Sequence, residues 1–351
     1  MTINIAVIGT SMIADNFIEV IDANPQTTYV GSYSRDPQRA DKITQDHNGS
    51  RAFYSLKELA TCEAVDVVYI ASPNALHKEQ ALTCIASHKH VIVEKPFCAC
   101  YEDAKEVFEA AEREGVIALE AMRPVHDPAY IAIQEALSQI GPIRRATLRF
   151  GKYSSRYDDL LAGSQTNIFD CTMCSGALMD IGVYCISTMI MLFGTPTHIA
   201  PVSGLLPQST QALTHGPLDG CGSFLATYNE HLCEVSYSKI SSDLLPSQIE
   251  GERGTITIDA LSCPTKVTLT LRGKAIRNAA KVSERSSGDS ITTLEIPQSL
   301  NTMEYELEDF CSMISKTLSP SRYQTYTLET LKITDTIRAE AGILFPCDTQ
   351  I

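Results

Sequence analysis

Lys95 occupies a position from which a lysine can reach a bound substrate. It follows the apolar run 91–93 and Glu94, and it precedes Pro96. An apolar run of this kind predicts a buried parallel strand, and open α/β sheets bind their ligands at the carboxyl ends of such strands. Pro96 restrains the backbone beside the lysine because its ring fixes φ. The position therefore predicts an ammonium group presented to a substrate, with a solvated strand-end lysine as the alternative.

Asp180 and Tyr184 form the second set of candidates, within the apolar segment 176–193. Its periodicity predicts a helix, on which residues four apart share one face. A tyrosine has a pKa of about 10, which suits proton transfer at neutral pH only if a neighbouring ammonium lowers it. Lys95 is the predicted neighbour. Taken alone, Tyr184 fits a helix core and Asp180 a surface ion pair, but the combination with Lys95 favours catalysis.

A glycine turn between a strand and a helix opens the chain. Residues 3–8 are apolar, and Gly-Thr-Ser-Met-Ile-Ala follows them. This is a degenerate form of the dinucleotide fingerprint, in which the first glycine makes the tight turn and the helix N-terminus faces the pyrophosphate. The predicted cofactor contacts in this turn are Gly9, Thr10, Ser11, Met12 and Ile13.

The second strand ends where a dinucleotide-binding unit places an acidic residue on the ribose hydroxyls. Ser34 holds that position here, and Arg35 and Arg39 follow it. A hydroxyl and two guanidinium groups suit a 2′-phosphate, so the sequence favours NADP(H) over NAD(H). Asp36 is the competing acidic residue, but together with Pro37 it also fits the cap and first turn of a helix.

Two further strand ends point at the same predicted crevice. The strand 65–71 precedes Ser-Pro-Asn, and a histidine falls in the first turn of the next helix. An ordinary hydrogen-bonded surface histidine is the competing interpretation. Strands that alternate with helices over residues 1–123 predict a doubly wound Rossmann domain that binds NADP. The further predicted cofactor contacts are Ser72, Pro73, Asn74, His77, Glu94 and Lys95.

Residues 124–351 follow a different pattern and predict an α+β domain. Closely spaced runs of alternating residues predict a large, open and mostly antiparallel sheet. Helices at 303–316 and 328–341 are expected to pack back on the first domain, and the polar stretch 278–290 predicts a loop. The predicted strands are 143–150, 222–228, 233–239, 254–259, 266–271 and 292–296.

Composition narrows the class of function. The net charge of −14 argues against nucleic acid as a partner, because phosphate backbones bind basic surfaces. The chain has no run of about 18 apolar residues and no evident signal peptide, so neither a membrane partner nor export is expected. Twelve cysteines then indicate reduced thiols in the cytoplasm. Cys171 and Cys174 have the spacing of half a zinc site, but no second pair accompanies them and no metal site is predicted.

These motifs stand in the order and spacing of the Gfo/Idh/MocA family, which nearly the whole chain resembles. The resemblance implies a nicotinamide cofactor, hydride transfer with sugars, polyols or related carbonyl compounds, and a homodimer through the C-terminal sheet. It implies that Lys95 is catalytic, that Tyr184 is the acid or base and that Asp180 lies in the same site. Tyr184 in place of histidine resembles the glucose-fructose oxidoreductase and dimeric dihydrodiol dehydrogenase branches, and Ser34-Arg35 resembles their NADP-preferring members.

The chain departs from the family near the expected substrate pocket. Many members have Gly-Gly-Gly where this chain has Cys-Ser-Gly at 174–176. After the segment 120–122, many members have an aromatic residue and then an arginine two positions on, where this chain has Arg-Pro-Val-His at 123–126. The substrate itself therefore cannot be carried over. The candidates for substrate contact are Arg123, His126, Arg156 and Tyr157.

The expected function is an NADP-dependent oxidoreductase that acts on a CH–OH or C=O group of a small molecule. Two alternatives fit the same fold: a regulator that binds nicotinamide without turnover, and a glycosidase that uses NAD for transient oxidation. The presence of both Lys95 and Tyr184 favours the enzyme. The missing acid at Ser34 counts against the glycosidase.

Overall fold

The structure is a computed structural model that describes residues 2–273 and 288–349. Its first part alternates short strands with helices, as the sequence predicts. The strands are β1 (Ile3–Ile8), β2 (Thr27–Tyr33), β3 (Val67–Ile70), β4 (His90–Glu94) and β5 (Ala118–Ala121). The helices are α1 (Met12–Ala23), α2 (Pro37–Asp46), α3 (Leu56–Ala60), α4 (His77–Ile85) and α5 (Tyr101–Glu114).

These five strands form one parallel sheet in the order β2-β1-β3-β4-β5. The strand order reverses between β1 and β3, and doubly wound sheets bind their ligands in the crevice at such a point. All four residues of β3 are buried, as expected for a strand that is covered on both faces. The predicted Rossmann sheet is confirmed.

The rest of the chain is built around a sheet of eight strands. The strands are β6 (Ile143–Gly151), β7 (His198–Leu205), β8 (Asp219–Thr227), β9 (Leu232–Ser238), β10 (Ser247–Gly251), β11 (Gly254–Ile258), β12 (Val267–Leu271) and β13 (Ser290–Thr293). The helices are α6 (Arg123–His126), α7 (Ala129–Leu137), α8 (Ser155–Leu161), α9 (Val183–Phe193), α10 (Gln211–Thr214), α11 (Met303–Ile314) and α12 (Ser321–Ala341). The order is β13-β12-β11-β10-β6-β9-β8-β7, in which β6 and β9 pair in parallel and the other neighbours pair antiparallel. The mostly antiparallel sheet is confirmed.

Two strands of the larger sheet, β7 and β10, are absent from the prediction. β7 is an edge strand that contains Pro201, and its residues are exposed or half-buried, so no apolar alternation marks it. β10 lies inside the sheet, but Ile249 is its one apolar residue. β13 begins and ends before the bounds predicted for the last strand, 292–296. Of the predicted loop 278–290, residues 278–287 lie outside the described residues.

The predicted helix 176–193 changes its form near its start. Gly176 has φ of +119°, and a Cβ there would lie 2.5 Å from a carboxylate oxygen of Asp219, so the position needs glycine. The other oxygen of Asp219 accepts a hydrogen bond from the amide of Leu178 at 2.7 Å. A π-helical turn, Leu178–Gly182, then leads into α9. Such wide turns are frequent at functional sites, and this one carries a predicted site residue.

The last two helices join the two sheets. Met303 and Phe310 of α11 pack in one core with Phe17 of α1. Leu331 of α12 packs with side chains of the first sheet, whereas Ile333 packs with α9 and the larger sheet. α12 begins before the predicted residue 328, because its first two turns are polar and carry no apolar stripe that would mark a helix.

One helical run, Cys171–Phe193, is long and apolar enough to cross a membrane by length and composition, with a mean hydropathy of 1.7. Within the structure, 72% of its most apolar window is buried. Its side chains pack in the core beneath β6, β8 and β9. The run has the burial of a core helix, and the expected absence of a membrane partner stays a prediction.

Candidate active site

The carboxyl ends of β1 and β3 approach each other closely enough to require glycine. Gly9 has φ of +119°, and a Cβ there would lie 2.6 Å from the carbonyl oxygen of Ala71. Ser11 precedes α1 in an extended conformation, and within the described residues no side chain caps that helix. The first-turn amides of α1 are therefore left to bind an anion. This turn fits the pyrophosphate of a dinucleotide.

The end of β2 carries the residues predicted to bind the 2′-phosphate. The hydroxyl of Ser34 accepts a hydrogen bond from the amide of Asp36 at 3.2 Å. Asp36 caps α2 by accepting from the amide of Gln38 at 3.0 Å, as its place before a proline predicts. Arg39 pairs with Asp36 at 3.5 Å, and both Arg35 and Arg39 are exposed. The two guanidinium groups are thus accessible to an incoming phosphate.

Internal hydrogen bonds tie the ends of β3 and β4 together. His77 is fully buried, and its ring nitrogens lie 2.8 Å from the carbonyl oxygen of Ser72 and 3.0 Å from that of Pro96. Burial lowers the pKa of His77, while these carbonyl groups act in the opposite direction. The side-chain amide of Asn74 donates to the carbonyl oxygen of Cys174 at 2.8 Å. His77 and Asn74 therefore fix the positions of the two strand ends relative to each other and to the segment before the π-helical turn.

Lys95 and Lys239 share the carboxylate of Asp180. Lys95 Nζ lies 2.7 Å from Asp180 Oδ1 and 2.9 Å from the backbone oxygen of the same residue. Lys239 Nζ contacts the other carboxylate oxygen, Oδ2. The exposed fractions of the side chains are 13% for Lys95, 8% for Lys239 and 24% for Asp180. The group is a largely buried pair of ammonium ions around one carboxylate, with one positive charge in excess.

For Asp180 and Lys95, the neighbouring charges shift the pKa by more than burial does. Burial raises the pKa of Asp180, but Lys95 and Lys239 bring it well below its usual value. Burial lowers the pKa of Lys95, but Asp180, Tyr184 and Glu94 raise it to a net value above its usual range. Lys239 differs, because burial and the positive charges of Lys95 and Lys152 together lower its pKa by more than Asp180 raises it. Asp180 and Lys95 are therefore ionised at neutral pH.

Tyr184 lies beside this group in the first turn of α9. The ammonium of Lys95 sits over the ring, 5.0 Å from its centroid, and Phe150 packs edge-on at 5.6 Å between centroids. Burial raises the pKa of Tyr184 to about 12, and the opposing effect of Lys95 is smaller. Lys95 thus acts in the expected direction, but the net shift is upward, contrary to the sequence-based expectation. The phenol is protonated at neutral pH.

A second charged group adjoins Tyr184 on the side of the first sheet. Glu94 accepts a hydrogen bond from the hydroxyl of Tyr69 at 2.5 Å, and burial raises its pKa. Glu306 of α11 is fully buried, and neither of its carboxylate oxygens finds a hydrogen-bond partner among the described residues. Burial and the nearby Glu94 raise the pKa of Glu306 well above its usual value. Arg123 acts electrostatically on Glu94, Glu306 and Tyr184, so it lies near all three, and its predicted contact with substrate stays a prediction.

His126 contacts the two C-terminal helices. Its Nδ1 lies 2.8 Å from a carboxylate oxygen of Asp309, and its ring stacks on Tyr323 at 4.6 Å. Asp309 belongs to α11 and Tyr323 to α12. The ring of His126 therefore fastens α6 to the two C-terminal helices, and its predicted contact with substrate stays a prediction.

Arg156 and Tyr157 begin α8 at the rim of the site. The segment is attached to the lysine group by its backbone, since the amide of Ser154 donates to the carbonyl oxygen of Lys239 at 3.0 Å. Arg156 is exposed and pairs within its own helix. The half-buried ring of Tyr157 packs on Phe169 at 5.9 Å. The structure thus brings the start of α8 near Lys239, and the predicted contacts of Arg156 and Tyr157 with substrate stay predictions.

The sequence analysis did not predict two charged residues of the site, Lys239 and Glu306. Lys239 continues the alternating series of Val235 and Tyr237, which face the core. Glu306 lies on the apolar face of α11. A charged residue in an inward-facing series is rarely buried without a special reason, and that mismatch is the signal that marks both residues.

All twelve cysteines carry free thiols. Within the described residues, the ligand atoms of Cys100, Asp103 and Cys347 lie within 4.8 Å of one another. Oδ1 of Asp103 already pairs with Lys78 at 2.6 Å. The expected absence of a metal site stays a prediction.

Comparison with known proteins identifies the family. Residues 3–121 match the family described as "Oxidoreductase family, NAD-binding Rossmann fold". The chain is 36% identical to scyllo-inositol 2-dehydrogenase (NADP(+)) IolU of Bacillus subtilis and 30% identical to the uncharacterized oxidoreductase YgjR of Escherichia coli, in each case over 99% of both chains. It is 28% identical to mouse trans-1,2-dihydrobenzene-1,2-diol dehydrogenase, over 77% of this chain and 78% of that one. The chain belongs to the Gfo/Idh/MocA family of oxidoreductases.

Solved structures share the whole architecture. The 3-ketoreductase KijD10 of Actinomadura kijaniata, in complex with NADP and TDP-benzene, has a TM-score of 0.79 at 20% identity and covers 97% of this chain and 98% of its own. UDP-N-acetylglucosamine 3-dehydrogenase GnnA of Acidithiobacillus ferrooxidans has a TM-score of 0.76 at 16% identity, with 97% of both chains covered. At these identities the likeness shows the fold alone.

Proposed function

We propose that this chain is an NADP-dependent oxidoreductase that transfers hydride between the nicotinamide and a CH–OH or C=O carbon of a sugar, cyclitol or related polyol. The observation that carries the proposal is the largely buried group of Lys95, Asp180 and Tyr184 beside the carboxyl edge of the Rossmann sheet. Its relative of 36% identity is named a scyllo-inositol dehydrogenase that uses NADP(+). A more distant relative is named a dihydrodiol dehydrogenase. Both names support an alcohol substrate.

The proposed roles follow from the positions of these side chains. The nicotinamide, when bound, supplies or accepts the hydride. Tyr184, which is protonated at neutral pH, donates its proton to the carbonyl oxygen during reduction and recovers it during oxidation. Lys95 directs hydrogen bonds at two oxygens of Asp180, which leaves its remaining N–H for the developing alkoxide.

Asp180 is proposed to position Lys95 rather than to bind substrate. Both of its carboxylate oxygens already have ammonium partners. A substrate hydroxyl would therefore compete with two charge-assisted contacts. Arg123 is the remaining cation beside Tyr184 and is proposed to contact the substrate.

The glycine turn from Gly9 to Ile13 is proposed to hold the pyrophosphate, and Ser34, Arg35 and Arg39 the 2′-phosphate. We expect Ser34→Asp to shift the ratio of NADPH to NADH affinity roughly tenfold or more towards NADH, because a carboxylate repels the phosphate and suits the ribose hydroxyls. Fluorescence titration of both cofactors measures this ratio. Ser138→Asp, which adds the same charge at an exposed site in the turn after α7, is the control. An unmoved ratio in Ser34→Asp would show that the ribose assignment is wrong.

The experiment that tests the proposal follows nicotinamide absorbance in both directions. NADP and NAD are offered with scyllo-inositol, other polyols, aldoses and trans-dihydrodiols, and NADPH and NADH with ketoses and dicarbonyl compounds. Turnover that favours the phosphorylated cofactor and is lost in Lys95→Ala is the expected result. Tight cofactor binding without turnover would favour a regulator. Cleavage of a glycoside without net cofactor consumption would favour the redox-cycling glycosidase.

A homodimer through the outer face of the larger sheet is the proposed assembly. Val202 of β7, Leu225 of β8 and Leu232 of β9 are exposed on that face. Exposed apolar side chains on one sheet face suit a protein interface. A monomeric mass by light scattering at the concentration used for assays would contradict this assembly.

A further inference from the structure

Lys239 is a buried ammonium that the mechanism above does not use. Its backbone is held on both sides, since its amide donates to the carbonyl oxygen of Gly220 at 2.9 Å and its carbonyl oxygen accepts from the amide of Ser154 at 3.0 Å. Its side chain is 8% exposed, and its ammonium contacts Asp180 Oδ2. Burying an ammonium group carries a large desolvation free energy, which an apolar side chain at the same position would avoid. The lysine therefore calls for a role in the site.

Lys239 is connected to Tyr184 through Asp180, which contacts Lys239 and acts on the pKa of Tyr184. Without the charge of Lys239, Lys95 and Asp180 would form a neutral pair, and the carboxylate would cancel much of the effect of the ammonium. Beyond the effect of burial, Lys95 and Arg123 lower the pKa of Tyr184, whereas Glu94 and Asp180 raise it. Lys239 contacts Asp180, and its further charged neighbours are Lys95 and Lys152.

We propose that Lys239 is a positioning residue of this site, which holds Asp180 by its second oxygen and offsets its charge, so that Lys95 keeps both its orientation and a net positive field on Tyr184. Lys239 acts through Asp180 and Lys95 and does not touch the substrate. The inference rests on the proposed function, because it assigns Lys239 a part in the same proton transfer.

The test measures the acid dissociation constant of a phenol at position 184, which reports the electrostatic field there and requires no turnover. Tyr184 is replaced by 3-nitrotyrosine, whose phenol ionises near neutral pH and then absorbs visible light, and its titration is followed in the full chain. Adding Lys239→Met should lower the acid dissociation constant of this phenol roughly tenfold, because a nearby positive charge is lost. Lys239→Arg keeps the charge and should restore the constant to within about twofold.

Lys78→Met is the matched control. Lys78 also pairs with carboxylates, at 2.6 Å from Asp103 and 2.7 Å from Glu106, but it stands on α4 outside the site. This variant should leave the titration at position 184 unchanged. If Lys239→Met does not fold, Lys239→Gln replaces it, since glutamine keeps a donor for Asp180 without the charge.

An unchanged dissociation constant in folded Lys239→Met, or in the Lys239→Gln that replaces it, would overturn the proposal, and so would a change no larger than that in Lys78→Met. In the unmodified Tyr184 background, Lys239→Met should also move the pH profile of kcat for alcohol oxidation to higher pH and leave KM nearly unchanged. Failure of the proposed function shows separately, as the absence of nicotinamide turnover by the unaltered chain, because the nitrophenol titration needs no substrate.

Discussion

Tyr184 lies near two buried groups of ionisable side chains, in which the pKa values of the carboxyl groups are shifted in opposite directions. On the lysine side, formed by Lys95, Asp180 and Lys239, both oxygens of the carboxylate contact ammonium groups and its pKa lies well below the usual value. On the glutamate side, formed by Glu94 and Glu306 around Arg123, the carboxylate of Glu306 has no hydrogen-bond partner among the described residues, and its pKa lies well above the usual value.

The difference shows that the hydrogen-bond partner of a carboxyl group, rather than burial itself, decides the direction of its pKa shift in this site. A buried carboxyl that is hydrogen-bonded to ammonium groups stays ionised, whereas burial without such a partner raises its pKa. The lysine side therefore supplies a fixed charge around neutral pH, whereas burial favours the protonated form of Glu94 and Glu306. A steady field of this kind suits a tyrosine that must give up and recover a proton.

Removing the ammonium group of Lys95 should have the largest effect, and this effect should be on kcat. Lys95→Ala should lower kcat about 10³-fold, because it removes the donor to the alkoxide and the charge over Tyr184. Its affinity for NADPH, measured by fluorescence, should fall far less than kcat, because the proposed pyrophosphate and 2′-phosphate contacts remain. Lys78→Ala is the control. A Lys95→Ala enzyme with nearly normal kcat would remove the lysine side from the mechanism.

Removing the carboxylate of the lysine side should cost stability. Asp180→Asn should lower the free energy of unfolding at neutral pH by about 3–4 kcal/mol, because two buried ammonium groups lose their partner. The folded pKa of Asp180 is depressed, so its contribution is present above the unfolded pKa of about 4 and is lost as pH falls through the folded value. Urea unfolding at a series of pH values measures this. A difference that does not shrink in acid would contradict the pairing.

The pH dependence of the two reaction directions should differ. Since the pKa of Tyr184 is raised to about 12, its phenol is protonated throughout the working range. The rate of carbonyl reduction should therefore be nearly flat with pH, whereas the rate of alcohol oxidation should rise by up to about tenfold per pH unit. Stopped-flow rates in buffers of constant ionic strength measure both. An oxidation rate that is flat over the same range would assign the base to another group.

Replacing Glu306 of the glutamate side by a neutral residue should have the smallest effect. It should stabilise the fold, whereas Asp180→Asn destabilises it. Glu306→Gln should raise the free energy of unfolding by about 1 kcal/mol at mildly alkaline pH. The folded pKa of Glu306 is raised, so the native protein loses stability as pH rises from the unfolded value towards the folded one, and glutamine avoids this loss. The two proteins should converge at low pH. Glu308→Gln, at an exposed position on the same helix, is the control, and a destabilised Glu306→Gln would mean that the glutamate is ionised and paired.

The residues predicted from sequence were those with a strong local pattern. Lys95 and Asp180 are 85 positions apart, yet a strand end and a helix spacing each marked one of them, and the structure joins them at 2.7 Å. Lys239 and Glu306 were missed because the burial of a charged side chain depends on tertiary neighbours. The upward pKa shift of Tyr184 was missed for the same reason, since no spacing reports how much water a ring has lost.

The larger sheet was harder to predict than the Rossmann sheet. Strands buried on both faces, such as β3, are apolar throughout and stand out in a sequence. β10 has only Ile249 to mark it, and the edge strand β7 contains a proline. Their pairing partners, rather than their own residues, define them as strands.

The most direct test of the central claim is the transfer of deuterium from NADPH labelled at the nicotinamide C4. Cofactors labelled on either face are mixed with the ketone derived from scyllo-inositol, and the product is analysed by mass spectrometry for the unaltered chain and for Lys95→Ala. The account predicts that one face of the cofactor delivers its deuterium to the carbon that becomes CH–OH, at a rate that collapses in Lys95→Ala. Folded protein that binds NADPH but transfers deuterium from neither face, with this ketone or the other carbonyl compounds, would contradict it.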